Sequence, residues 1–141
     1  MAAGKHNFLI EQGADFIQTI QFLTPPLDPI NAPDTPGPPV DITGWDARMQ
    51  VRQGPDRAGG TIILDLSIGG GEISLVSPET DGTFQVAVTA AVTAALLATE
   101  FTNGAFHDFE AIDTPGILGI AGAVYRLIEG SVKFSENVTV P

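Results

Sequence analysis

The chain has no cysteine, which excludes disulfides, thiolate nucleophiles and Cys-ligated zinc and leaves the redox compartment open. Positive charge is almost as scarce: six Lys and Arg stand against 17 Asp and Glu, a formal net charge of -11. A nucleic-acid binder needs a basic footprint on the phosphates, and an anionic membrane attracts polybasic segments. Neither feature is present, so nucleic acid and membrane are not expected partners. The acidity reads as solubility rather than as a dedicated cation site. Long apolar runs are missing too. The longest, residues 86–98, is broken by threonines and is shorter than the about 20 residues that cross a bilayer. Residues 1–7 show no hydrophobic signal region, so a soluble protein made in the cytoplasm is the expectation. One Trp and one Tyr leave little for stacking on sugars.

What is present points to β-structure. A chain of 141 residues matches about one domain, here 1–141, and at this size buries about 68% of its unfolded surface. Its 16 Gly and 11 Pro mark many turns and few long helices. Alternation of period two predicts half-buried strands. Phe8-Leu9-Ile10 opens the series, and Phe16, Ile20 and Phe22 fall on one face of the next. Ala47, Met49 and Val51 alternate with Arg48, Gln50 and Arg52, and Ile62, Leu64 and Leu66 follow. Residues 72–76 form a short strand; Asp81-Gly82 is a hairpin signal before Phe84, Val86 and Val88. The last two strands are Phe106-His107-Asp108-Phe109-Glu110 and residues 124–134, separated by a Gly/Pro turn at 113–122. The expected core is Phe16, Ile20, Phe22, Met49, Val51, Ile62, Leu64, Phe84, Val86, Phe109 and Leu127.

One helix is expected, at residues 89–98, with Thr89 as its cap and Val92, Ala95, Leu96 and Thr99 on one face. Eight or so short strands at roughly ten-residue spacing predict an antiparallel β-sandwich. Residues 24–39 hold Pro25, Pro26, Pro29, Pro33, Pro36, Pro38 and Pro39. Proline fixes φ and lacks the ladder donor, so this is a loop, either a plain insertion or a binding element in polyproline conformation. Residues 1–7 and 136–141 are expected to order only on a partner.

No motif carries catalysis. His6 and His107 lie far apart, and His107 shares a strand face with Phe109 and Ala111, which points it inward as a hydrogen-bonded core residue. A zinc site would need three or four ligands at suitable spacing, so no metal and no cofactor are expected. Asp108 and Glu110 share the opposite face. A carboxylate pair can bind Ca²⁺ or move protons, but Arg126 or Lys133 on the next strand makes a cross-strand charge pair the simpler reading. The Gly69-Gly70-Gly71 run lacks the Lys-Ser/Thr of a phosphate loop, and there is no Gly-x-Ser-x-Gly elbow. A non-enzymatic role is expected.

The order of motifs adds a resemblance. Gly13-Ala14-Asp15-Phe16, residues 39–52 with Val40-Asp41-Ile42-Thr43-Gly44-Trp45 leading into Ala47-Arg48-Met49, Gly71-Glu72-Ile73-Ser74-Leu75, residues 88–97, 107–110 and 126–130 follow one another as in a phage structural module. The chain resembles small tail and baseplate proteins of tailed bacteriophages, and is similar to the N-terminal domain of baseplate upper proteins. That resemblance implies an immunoglobulin-like sandwich in a virion, at the baseplate or tail tip, docking other tail, baseplate or fibre proteins. It further implies an adaptor for a separate fibre or spike chain, present as a homo-oligomer. The expected contact residues are Phe8, Pro25, Pro26, Pro36, Pro38 and Trp45. Capsid decoration is the alternative within the structural class. A carbohydrate-binding sandwich is the alternative outside it, with Trp45 either stacking on sugar or covering the core edge.

Overall fold

The computed structural model describes residues 4–25, 27–28, 30–54 and 60–136. Two sheets face each other. The larger runs β1–β9–β8–β4–β5, built from β1 (Gly4–Lys5), β9 (Ala123–Ser135), β8 (Ala105–Asp113), β4 (Asp46–Gln53) and β5 (Ile62–Ser67), with β2 (Phe8–Glu11) also pairing β9. The smaller is β3–β7–β6, from β3 (Phe16–Gln21), β7 (Thr83–Val88) and β6 (Ile73–Leu75). With one short helix, α1 (Ala90–Ala94), the protein is an all-β sandwich.

Alternation decides which side chains enter the gap. In β8, Ala105, His107, Phe109, Ala111 and Asp113 are buried while the residues between them are half-exposed. In β4, Ala47, Met49 and Val51 point inward, as the alternating pattern requires. The small sheet contributes Phe16, Ile20, Phe84, Val86 and Val88 from registered pairs, Ile20 opposite Phe84 and Phe16 opposite Val88. The sheets meet where Phe84 packs edge-on against Phe109, ring centroids 5.3 Å apart. Each such buried ring contributes about 1.5–3 kcal/mol of transfer free energy.

Five features depart from the pattern read along the chain. β1 and β2 run parallel to β9, with Phe8 opposite Val132, so the sandwich is not wholly antiparallel. Gly4 and Lys5 pair with β9 and the His6 N–H bonds the Glu129 carbonyl, while residues 1–3 and 137–141 lie outside the described residues. Ile62 is 40% exposed because the β4–β5 register shifts at Val51/Arg52, and Leu127 is only half-buried against the core. The helix is shorter than 89–98. Of the expected face Val92, Ala95, Leu96 and Thr99, Leu96 is buried but Val92, Ala95 and Thr99 are exposed, and Thr93 is the buried residue within the helix itself. Thr89 makes no side-chain cap. Asp15, on the turn before β3, accepts the Ala90 N–H instead, at 2.7 Å.

Candidate functional site

Three polar side chains are buried among the described residues, Thr93, His107 and Asp113, and each fastens a loop. Thr93 accepts the Gly13 N–H at 3.1 Å and donates to the Ala14 carbonyl at 2.8 Å, tying the β2–β3 turn to the helix. His107 Nε2 lies 2.6 Å from the His6 carbonyl oxygen. Because a carbonyl only accepts, that nitrogen carries the proton. The His107 ring stacks on Phe8 at 4.2 Å. A Cβ on Gly130 would fall 2.0 Å from the His6 oxygen, so the N-terminal strand reaches His107 only because position 130 has no side chain.

Asp113 closes β8 and organises the following loop. Its Oδ1 accepts the N–H groups of Gly116 and Ile117 at 2.8 and 2.9 Å, and its Oδ2 accepts that of Leu118 at 2.7 Å. The Asp113 carbonyl also receives the Gly122 N–H at 2.7 Å. The carboxylate satisfies donors a tight loop would otherwise leave unpaired, and Gly116, at φ +84°, makes the turn possible. A backbone fixed from below holds Ile117, Leu118 and Ile120 outward, the last 71% exposed.

Other loops gather at the same end. β4 starts opposite Ile112, and β9 starts opposite Asp113. Val40 N–H bonds the Phe22 carbonyl, Ile42 N–H the Glu79 carbonyl, and a Cβ on Gly44 would meet the Pro115 ring at 3.6 Å. The Thr43 hydroxyl at 2.6 Å, then its backbone N–H at 3.0 Å, hold the Asp41 carboxyl below the usual carboxylate range. The proline-rich loop leaves this end after a bridge between Leu23 and Pro39, and exposes Leu27 and Ile30 at 85 and 86%. Of the eleven exposed large apolar side chains among the described residues, six stand here: Leu27, Ile30, Ile117, Leu118, Ile120 and Val124.

The expected contact residues separate into two groups. Pro25, Pro36 and Pro38 are exposed on this end, and Pro26 lies outside the described residues. Phe8 and Trp45 are corrections, being 5% and 4% exposed and thus part of the core. Phe8 sits on the inward phase of β2, between His107 and Phe16. Trp45 packs against Phe22 and Tyr125, with centroids 5.8 and 6.0 Å away, and seals the core beneath the loops. Its indole N–H has no acceptor among the described residues, so packing alone holds it. Buried in this way, Trp45 offers no ring for a sugar to stack on.

Charge is organised on the outer face of the large sheet. Arg48 bonds Glu110 at 3.0 Å; Arg126 reaches Asp108 at 3.5 Å, Glu110 at 3.9 Å and Glu129 at 3.8 Å; Lys5 pairs with Glu129. Asp108 and Glu110 are thus members of a cross-strand ladder. Lys133 stands opposite Leu9, away from them. No group of three or more metal-ligating side chains occurs among the described residues, and no helix there is long and apolar enough to cross a membrane. No protein-family model matches the chain, and no curated protein matches it in sequence. The exposed apolar loops and the buried Asp113 were missed in the sequence. An acidic residue opening a Thr-Pro-Gly turn was the available signal for Asp113.

Proposed function

We propose that this protein is a non-enzymatic structural component of a tailed-phage virion, located at the baseplate or tail tip, where it acts as an adaptor for fibre or spike chains. The observation that carries the docking role is the concentration of exposed apolar side chains at one end of the sandwich, on loops anchored from the core. Monomeric surfaces seldom display large contiguous apolar patches, and those that exist mark interaction sites. The virion assignment rests on the order of motifs, which fall on the turn into β3, on the turn into β4 and β4 itself, on β6, on the end of β7 with α1, on β8 and on β9. The charge ladder supports a structural reading of Asp108 and Glu110, which face Arg48 and Arg126. Homo-oligomeric copies around the tail axis present the apolar end repeatedly to neighbouring chains.

Immunogold electron microscopy of intact virions, with antibody against this chain, tests the proposal. Gold at the tail tip or baseplate is expected. Gold over the head assigns the protein to capsid decoration, and protein confined to infected-cell lysate overturns the virion role altogether.

A further inference from the structure

The loop end of the sandwich carries charge of one sign only. Residues 22–47, 76–83 and 111–125, which build it, contain Asp28, Asp34, Asp41, Asp46, Glu79, Asp81 and Asp113 and no Lys or Arg. Asp113 is enclosed and uses its carboxylate on the N–H groups of its own loop. Among the described residues, none of the other six forms an ion pair. Two of them stand beside exposed apolar side chains. Asp46, Ile112 and Val124 are cross-strand partners and share one row of the outer face of the large sheet, with Asp46 exposed and Val124 48% exposed. From that row β8 runs into the loop that bears Ile117, Leu118 and Ile120. Asp28 caps the turn that presents Ile30: its Oδ1 accepts the Asn31 N–H at 3.0 Å and its carbonyl the Ala32 N–H at 2.9 Å.

Charge limits what can cover this surface. A second copy placed end to end would set the same unpaired carboxylates against each other. Arg48 and Arg126, one row further along the sheet, are the nearest described cations, and Glu110, Asp108 and Glu129 already balance them. Lys5 pairs with Glu129 as well. Arg52 and Lys133 lie toward the far ends of β4 and β9, away from these loops. A second copy therefore offers no free cation close to its own apolar end. A different protein, with apolar side chains ringed by Lys and Arg, fits both features. Such complementarity speeds encounter and rejects acidic partners.

We propose that the loop end docks a partner protein through an apolar patch rimmed by Lys and Arg. The apolar part seats on Ile117, Leu118, Ile120 and Val124, and the cations lie against Asp28 and Asp46. The inference rests on the docking role proposed above and is independent of where in a virion the protein sits.

The test titrates the isotope-labelled full chain with an acetylated peptide alternating Leu and Lys, and with controls alternating Leu with Glu and Ser with Lys. The Leu–Lys peptide should give saturable shifts centred on Ile117, Leu118 and Ile120, weakened by added salt. Asp28→Asn with Asp46→Asn should lower its affinity roughly fivefold and flatten the salt dependence. Ile117→Ser with Ile120→Ser should abolish binding while the rest of the spectrum stays in place. Unchanged affinity in the double Asn variant overturns the cationic partner, as does equal binding by the Leu–Glu peptide. If that Leu–Glu binding is itself lost in the double Ser variant, the apolar docking role stands and only the charge assignment falls. Equal binding by the Ser–Lys peptide, or shifts scattered over all the acidic loops, overturns the site. Self-association of the chain at low salt that the double Ser variant abolishes makes a second copy the occupant, and so overturns the proposal too.

Discussion

At one end of the sandwich a buried threonine ties a turn to a short helix; at the other a buried aspartate ties a loop to the strand it leaves. Both anchors are wholly enclosed, and both satisfy backbone N–H groups that the neighbouring turns cannot pair. The ends differ in what they display. Around Thr93 the exposed large apolar residues are Val92 and Leu97, whereas Asp113 supports Ile117, Leu118 and Ile120, with Leu27 and Ile30 on the adjoining loop. A polar anchor in the core thus does not dictate a polar surface above it. It frees the loop from having to bury its own apolar residues to stay ordered, and those residues become available to a partner.

The largest expected effect falls between the two ends. Phe109 is fully buried at the contact between sheets, and Phe109→Ala should cost about 3–5 kcal/mol through lost contacts and the cavity left behind. An unchanged urea midpoint would show that the two ends are not joined through one core. Next comes Asp113→Ala, which removes the carboxylate acceptor from three part-buried hydrogen bonds and leaves only Gly116 a second acceptor, the carbonyl of residue 113. A loss of about 3 kcal/mol is expected, together with rapid hydrogen exchange at Ile117 and Leu118. If exchange stays slow there, Asp113 is not the anchor of that loop.

Thr93→Val keeps the shape and removes two hydrogen bonds, so about 1–2 kcal/mol should be lost, with faster exchange confined to Gly13 and its neighbours. A matching change at residues 116–118 would contradict the independence of the two ends. The double variant Ile117→Ser with Ile120→Ser should move stability by no more than about 0.5 kcal/mol, because both residues are exposed. It should nevertheless abolish incorporation into virions, read by complementation; normal incorporation would remove this end from the contact surface.

The smallest effect concerns pH. The Asp41 carboxyl is held below its ordinary range by the Thr43 hydroxyl and then by the Thr43 N–H. A group depressed in the folded state contributes stability that is present above its unfolded pKa and lost as pH falls through its folded one. Thr43→Ala should therefore raise the Asp41 titration midpoint toward the ordinary value, followed by NMR of its side-chain carbonyl. No change would show that the hydroxyl is not the principal cause.

Much of the large sheet was legible in the chain. The alternation of Ala47, Met49 and Val51 survives because one buried face imposes period two on every residue of the strand, and the same holds for His107, Phe109 and Ala111. Ile62 shows the limit. A register shift at Val51/Arg52 changes the phase of its strand, and nothing local marks it. The helix was misjudged for a related reason. Apolar spacing placed Val92 inward, but the turn carrying Asp15 and Gly13 approaches from 75 to 80 residues away and makes Thr93 the buried member.

Phe8 and Trp45 illustrate the same division at the candidate surface. Aromatic residues beside turns can face either way, and their burial here depends on partners distant in sequence: His107 and Phe16 for Phe8, Tyr125 and Phe22 for Trp45. Pro25, Pro36 and Pro38 were readable as exposed loop because φ restriction and a missing N–H act on the residue itself.

By itself the sequence determined composition-level and nearest-neighbour properties: an acidic chain without thiols, strands of period two, turns at Gly and Pro, and a carboxylate pair on one strand face. Only the tertiary structure decided which polar residues are enclosed, which aromatic rings are sealed, where the exposed apolar residues collect and which carboxylates stand beside them. The reason is physical. Alternation and turn chemistry act over a few residues, whereas burial is settled by surfaces that the chain brings together from positions as far apart as His6 and His107.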